Sequence, residues 1–160
     1  MRRSLHITLS LAFCTLLSSA QILDQTRIIG IWQERGNLPT EDWLNTYRFF
    51  QDGKFVFTFN RMAENRRLYS IQGTYELQSD SVHLTVLSFD EFVGGELVRG
   101  AWEIGEWLMK SQETRQQMIK KPLKTTVLIE ECTEYKSSEP CVLFDTVLYV
   151  KIKDDPNEFP

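Results

Sequence analysis

The stretch YRFFQDGKFVFTFN, residues 47–60, decides the fold class because it carries a complete β-hairpin signal. In its second half every other residue is a phenylalanine, and these are Phe55, Phe57 and Phe59. This two-residue period is typical of a strand with one buried face. The Gln51-Asp52-Gly53-Lys54 segment before it favours a tight turn, since glycine tolerates a positive φ. We therefore predict an antiparallel hairpin made of residues 45–50 and 54–60.

The same alternation extends outward from the hairpin and predicts the remaining strands. They cover residues 28–34, about 68–77, a fifth strand marked by Val82, Leu84 and Val86 and ended by Gly94-Gly95, residues 96–104, about 124–131, and 141–152. Gly73 predicts a bend in the fourth strand, which a small barrel needs in order to close. Eight consecutive antiparallel strands can remove their exposed edges by closing. The prediction is an all-β, eight-stranded antiparallel up-and-down barrel, either filled by side chains or holding one small ligand.

Residues 105–121 have two interpretations. Their larger apolar residues fit one side of a short amphipathic helix near 107–120 that ends before Pro122, and they are Trp107, Leu108, Met118 and Ile119. The same residues could instead form a strand, a loop and another strand. Both interpretations remain open on the sequence alone.

The first twenty residues have the layout of a secretory signal peptide. Arg2 and Arg3 give a positive start, residues 5–17 are mainly apolar, and small residues precede Gln21. This apolar run is too short for a membrane span. We expect a signal peptide over residues 1–20 with cleavage near Ala20, a linker over 21–27, a barrel domain over 28–153 and a polar tail over 154–160. The mature protein would be exported, either periplasmic or secreted.

The net charge of the chain argues against nucleic acids and anionic lipids as partners. Removing Arg2 and Arg3 from the 18 basic residues leaves 16 against 22 acidic ones, a formal charge of −6. Nucleic acids and anionic lipids bind clustered Lys and Arg. The only basic cluster, Lys120, Lys121 and Lys124, is small and is interrupted by Pro122. We therefore expect no nucleic-acid binding, and no membrane span.

The cysteine count favours a disulfide. Cleavage would remove Cys14 and leave Cys132 and Cys141, an even number in an exported chain. The polar, turn-like segment between them is flanked by two apolar runs. A bridge would join the ends of two strands of one hairpin and add roughly 2–3 kcal/mol in the loop-entropy model.

Three short motifs resemble those of the lipocalins and of the bacterial lipocalin-like domain family. Gly30-Ile31-Trp32 has the Gly-x-Trp spacing of the first lipocalin strand, and residues 49–55 and 73–77 look like the family's Phe-x-x-Asp-Gly-x-Phe and Gly-x-Tyr segments. The resemblance covers roughly residues 28–90. It implies a lipocalin-like barrel closed at its base by Gly30 and Trp32, and a small apolar ligand. Arg48 and Arg99 are the candidates for the arginine that many lipocalins stack on this tryptophan.

Catalytic chemistry finds little support in the sequence. His83 is the one histidine after the leader, and its Val-His-Leu-Thr context predicts the outer face of a strand. Glu130 and Glu131 point to opposite faces of a strand, so they cannot form a glycosidase pair. No hydrolase, phosphate-loop or metal-ligand spacing occurs. We expect no catalytic residues, no metal and no cofactor, and a protein that is not an enzyme.

The aromatic residues suggest two functions. Six of them would line one side of the barrel interior, and they are Phe55, Phe57, Phe59, Tyr69, Tyr75 and Trp102. They could form a pocket for a small hydrophobic ligand, or a filled core, which a chain of this size favours. The first predicts a lipocalin-like binding module. The alternative is a protein-interaction or inhibitor module that uses loops 36–43, 61–67 and 88–95, with Trp43 and Phe92 as aromatic anchors.

Overall fold

The computed structural model describes residues 25–36, 44–60, 67–99, 107–132 and 139–158. Within these ranges the chain forms one helical turn and eight strands. They are α1 (Gln25–Ile28), β1 (Gly30–Glu34), β2 (Thr46–Phe49), β3 (Lys54–Thr58), β4 (Leu68–Gln78), β5 (Ser81–Arg99), β6 (Trp107–Glu131), β7 (Cys141–Phe144) and β8 (Val147–Lys153). The predicted signal peptide, Trp43 and Trp102 lie outside the described residues.

The eight strands form one closed antiparallel barrel in sequence order. Each strand pairs with its neighbours along the chain, and β1 pairs with β8 to close the ring. The predicted all-β, up-and-down architecture is confirmed. The hairpin of β2 and β3 has the expected register, with Phe49 opposite Phe55 and Tyr47 opposite Phe57. The predicted irregularity at Gly73 is also present, as a register shift between Gln72 and Gly73.

The fifth strand does not end at Gly94-Gly95, and residues 96–99 of the predicted sixth strand belong to it, while residues 100–104 lie outside the described residues. Strand β5 continues through both glycines to Arg99, with Gly94 opposite Gln112 and Glu96 opposite Lys110. The two glycines have φ of 67° and 84°, which costs a residue without a side chain little. They therefore distort the strand locally, while the partner strand β6 maintains the pairing on both sides.

Of the two interpretations of residues 105–121, the short helix near 107–120 is wrong. Residues 107–118 form a strand that pairs with β5 from Arg99 back to Ser88. Four apolar residues at helical spacing are a weak signal, and a complete set of cross-strand hydrogen bonds outweighs it. Met118 pairs with Ser88 and Leu123 with Val86, so residues 119–122 bulge out of the ladder. Pro122 lies in this bulge, where its missing N–H removes no hydrogen bond.

The predicted last strand, 141–152, is divided into β7 and β8. The turn between them contains Asp145 and Thr146, with φ of 48° and 73°. Two consecutive positive φ values are characteristic of the tight turn that matches strand twist. Phe144 and Val147 pair across it. The total is still eight strands. One strand is gained by dividing residues 141–152, and one is lost because residues 81–99, predicted as strand five and the start of strand six, form the single strand β5.

Candidate functional site

The barrel interior is occupied by aromatic rings that contact one another. Partly buried Tyr47 contacts four other rings, with centroids 4.4 Å from Phe57, 5.2 Å from Phe144 and 5.4 Å from both Phe49 and Tyr149. Aliphatic side chains from β5 and β6 complete the core, and they are Val82, Leu84, Val86, Val127 and Ile129. At these separations the rings are in offset or edge-to-face contact. The centre of the barrel is packed by side chains.

The six residues predicted to line the interior do not all meet there. Phe55 and Tyr75 are buried in the core, and half-buried Phe57 packs against it. Phe59 lies beyond the end of β3, with its ring perpendicular to that of Phe57. Tyr69 instead contacts Phe92, with ring centroids 5.1 Å apart. Trp102 falls outside the described residues.

Four interior rings were missed by the sequence analysis, and they are Tyr47, Phe49, Phe144 and Tyr149. Alternation within residues 45–50 could have identified the first two. The other two lie on either side of the turn between β7 and β8. Because residues 141–152 were predicted as one continuous strand, their alternation did not place both rings on the inner face. Burial raises the pKa of Tyr47 to about 12 and raises the pKa of Tyr149 further, since both phenols would have to ionise away from water.

At the α1 end of the barrel, Trp32 is buried. The indole Nε1 of Trp32 donates a hydrogen bond to the carbonyl oxygen of Ile28 at 2.7 Å. The ammonium nitrogen of Lys151 lies 5.7 Å from the centroid of the indole ring. The same nitrogen forms an ion pair with the Asp154 carboxylate at 2.8 Å. A cation over an indole face is a favourable contact. Gly30 is required here because a Cβ would collide with the carbonyl oxygen of Lys153.

The cation over Trp32 is a lysine of β8, and the candidate Arg48 lies elsewhere. The guanidinium of Arg48 lies over the ring of Phe50, 5.9 Å from its centroid. Residues 154–158, predicted as part of a polar tail, form turns at this same end, and Pro156 is buried. Within this turn Asp155 accepts a 2.9 Å hydrogen bond from the backbone N–H of Asn157.

The predicted Cys132–Cys141 disulfide is present. It joins the residue after β6 to the first residue of β7, with the two Cα atoms 5.9 Å apart. Pairing between these strands is short, covering only Ile129 to Glu131 on β6. The disulfide therefore reinforces a short junction of the ring.

His83 lies on the outer face of the barrel. Its Nδ1 is 3.1 Å from the hydroxyl of Thr126, and its Nε2 is 3.4 Å from that of Ser81. With Lys124 and neighbouring polar residues it borders a shallow groove of about 390 Å³. A second surface cavity, of about 480 Å³, borders Phe50 and residues 154–157. Neither cavity is lined by the interior rings, and within the described ranges no cluster of three or more His, Cys, Asp or Glu could hold a metal ion.

Strands β5 and β6 extend well beyond the barrel. They contain 19 and 25 residues, whereas β2 and β7 contain four each. Strand β4 accompanies β5 only as far as the pair Leu68–Glu91. We call residues 88–99 of β5 together with 107–118 of β6 the ribbon. Beyond Phe92, whose backbone N–H still donates to the carbonyl oxygen of Arg67, its outer part consists of two strands alone among the described residues.

The base of the ribbon is fixed to the barrel by polar contacts. Asp90 accepts hydrogen bonds from Ser70 at 2.7 Å and from Gln72 at 2.6 Å, which ties β5 to β4. Glu91 accepts from Arg115 at 2.8 Å and also from Gln117, which ties β5 to β6. These contacts lower the pKa of the Glu91 carboxyl, first through the Arg115 hydrogen bond. The ribbon therefore leaves the barrel in a defined direction.

Strand β6 has one unpaired side along most of its length. Its pairing with β7 begins only at Ile129, so residues 113–127 have β5 on one side and no paired strand on the other within the described structure. We call this side the β6 edge. Met118 is 72% exposed and Leu123 60% exposed beside it. Three exposed lysines follow the same stretch, and they are Lys120, Lys121 and Lys124.

The fold and these surfaces define an eight-stranded antiparallel barrel with a filled interior and a projecting β-ribbon. No protein-family model matches the sequence, and neither a curated protein nor a solved structure matches it significantly. In the described part of the chain, no helix has the length and apolar character needed to cross a membrane.

Proposed function

We propose that this protein is a protein-interaction module, in which the barrel is a rigid support and the ribbon with its β6 edge is the contact element. The observation that carries the proposal is the unpaired edge over residues 113–127. Backbone N–H and C=O groups on such an edge can pair with another extended chain. Strand addition to an exposed edge is a general mode of recognition.

The packing of the barrel supports this function over storage of a molecule inside it. Tyr47 contacts four other rings within 5.4 Å, so a ligand entering the centre would have to separate them. Loss of well-packed aromatic contacts costs several kcal/mol, about as much as moderate ligand affinity provides. A filled core also holds the ribbon base rigidly, which lowers the entropy lost on binding.

A lipocalin-like pocket for a small hydrophobic molecule is the second candidate function. The concentration of aromatic side chains inside the barrel supports it, since such residues dominate apolar ligand sites. Native mass spectrometry of the protein isolated from its own host separates the two functions. A stoichiometric co-purifying small molecule would favour the pocket, whereas the bare mass is expected for the interaction module.

The disulfide supports the further proposal that the protein acts outside the cytoplasm. Structural disulfides persist in oxidising compartments and are rare where glutathione keeps thiols reduced. The Cys132–Cys141 bridge reinforces a short strand junction. A periplasmic or secreted location would satisfy this requirement.

The function can be tested with a shortened ribbon. Residues 92–114 are replaced by Asn-Gly, which leaves the Glu91–Arg115 pair at the base of a two-residue hairpin. Lys54→Ala, in the exposed turn of the β2–β3 hairpin, is the matched control. The shortened protein keeps residues 115–127 of the β6 edge, so crosslinking in the native host should yield fewer partner adducts with it than with the natural protein and the control. Identical adducts from all three would refute the ribbon as the contact element.

A further inference from the structure

We infer that the β6 edge binds an acidic, extended segment of another protein by strand addition. This inference rests on the proposed function and specifies its partner. It depends on three properties of residues 113–127: free backbone groups along one side, side chains that are exposed at most positions, and a positive local charge. Each can be derived from the described structure.

The backbone of the β6 edge is accessible. The side chains of residues 120–126 are all exposed, so no described part of the protein covers this stretch. The first backbone contact with the neighbouring hairpin is at Leu128, whose carbonyl oxygen accepts from Asp145 N–H at 3.0 Å. Among the described residues, an added strand would therefore meet no competing segment before that point.

The charge of the β6 edge selects the partner. Three lysines lie between residues 119 and 124, while Arg115 is already paired with Glu91, and Glu113 is the single acid of residues 113–124. The whole chain has a formal charge of −4, so this stretch is opposite in sign to the rest of the molecule. Opposite charges across paired strands are favourable, and like charges are unfavourable. Carboxylates on the added strand would contact these cations.

The same charges disfavour a second copy of this protein as the occupant. Two β6 edges paired with each other would bring their lysines close together, and lysines on edges are a known means of preventing such association. Met118 and Leu123 lie on either side of the bulge and offer exposed apolar contacts. The fitting segment is one in which acidic and apolar residues alternate.

The test uses synthetic eight-residue peptides with the full protein. The probe alternates Glu and Val. One control alternates Lys and Val, and another carries N-methyl groups on alternate amides of the Glu-Val peptide, which removes backbone donors and leaves its charge unchanged. Binding is measured by fluorescence anisotropy, and the site by amide chemical shifts and hydrogen exchange. We expect the Glu-Val peptide alone to bind, and to protect amides within residues 113–127.

Charge reversal on the protein provides the second arm. The triple variant Lys120→Glu, Lys121→Glu, Lys124→Glu should weaken Glu-Val binding by roughly tenfold or more, since each exposed ion pair contributes a fraction of that factor. Lys54→Glu and Lys153→Glu, exposed lysines on other parts of the barrel, are the matched controls and should leave it unchanged. Circular dichroism checks that each variant folds.

Several outcomes would overturn the inference. Equal binding of the Lys-Val or N-methylated peptide would refute charge selection or strand addition, respectively. Protection outside residues 113–127 would refute the site. Light scattering that shows a dimer abolished by the triple variant would identify a second copy as the occupant. Binding of duplex DNA that the triple variant abolishes would identify nucleic acid instead. If crosslinked partners still depend on the ribbon while the peptide fails, the inference is wrong and the interaction function stands.

Discussion

Replacing Phe144 with alanine tests the filled interior most severely. Phe144 is 3% exposed, and its ring lies 5.1 to 6.2 Å from those of Tyr149, Tyr47, Phe49 and Trp32. The substitution removes the transfer free energy of a buried ring and leaves a cavity, which together cost about 3–5 kcal/mol. A domain of this size has a total stability of roughly 5–15 kcal/mol, so the loss is a large fraction of it.

Urea unfolding followed by tryptophan fluorescence measures this loss, with the slope of the transition checked for two-state behaviour. Leu123→Ala, at a 60% exposed position, is the control and should change the free energy of unfolding by less than about 0.5 kcal/mol. The cavity left by Phe144→Ala should also bind benzene, and benzene should stabilise that variant alone. A loss below about 1.5 kcal/mol would refute the packing described here, because Phe144 would then border empty space.

Three further predictions concern the disulfide, the buried tyrosines and the leader. Replacing Cys132 and Cys141 by serine should lower the free energy of unfolding by about 2–3 kcal/mol in the loop-entropy model; an unchanged urea midpoint would show that the bridge constrains nothing. Because folding raises the pKa of Tyr47 and Tyr149, their contribution to stability is complete below about pH 10, the unfolded value, and is lost as the pH rises towards 12 and beyond. Tyrosinate absorbance should therefore show a late, cooperative step that coincides with unfolding, and simple titration of all tyrosines near pH 10 would contradict it. Intact-mass analysis of the protein recovered from the periplasm or medium of a bacterial host should show Gln21 as the first residue, and a retained leader would disprove the cleavage prediction.

The sequence was sufficient to predict an element where the two-residue alternation of its side chains and the residues of its turn indicated the same structure. The hairpin of β2 and β3 has a clean two-residue alternation and an Asp-Gly turn, and both its existence and its register follow from them. The disulfide followed from the even cysteine count and from the turn-like segment between the two residues. In each case the determining interactions lie within about ten residues of one another.

The other elements could not be predicted from local sequence, because they depend on pairing between strands that are distant along the chain. Residues 107–118 carry too few apolar side chains to specify a strand, and β5, which supplies their hydrogen bonds, must itself pass through Gly94-Gly95. The turn at Asp145 and Thr146 has two positive φ values without a glycine, so composition gives no warning of it. The interior role of Tyr47 and Phe144 depends on closure between β1 and β8, which no local pattern encodes.

Amide hydrogen exchange along β6, followed residue by residue with NMR, tests the central claim most directly. An edge strand bonds every second N–H to its single neighbour and leaves the alternate N–H groups to solvent. We expect slow and fast exchange alternating with a period of two over residues 113–118, next to uniformly slow exchange in β2 and β3. Uniform protection of residues 113–118 would mean that the edge is covered, and uniformly fast exchange would mean that the ribbon does not form.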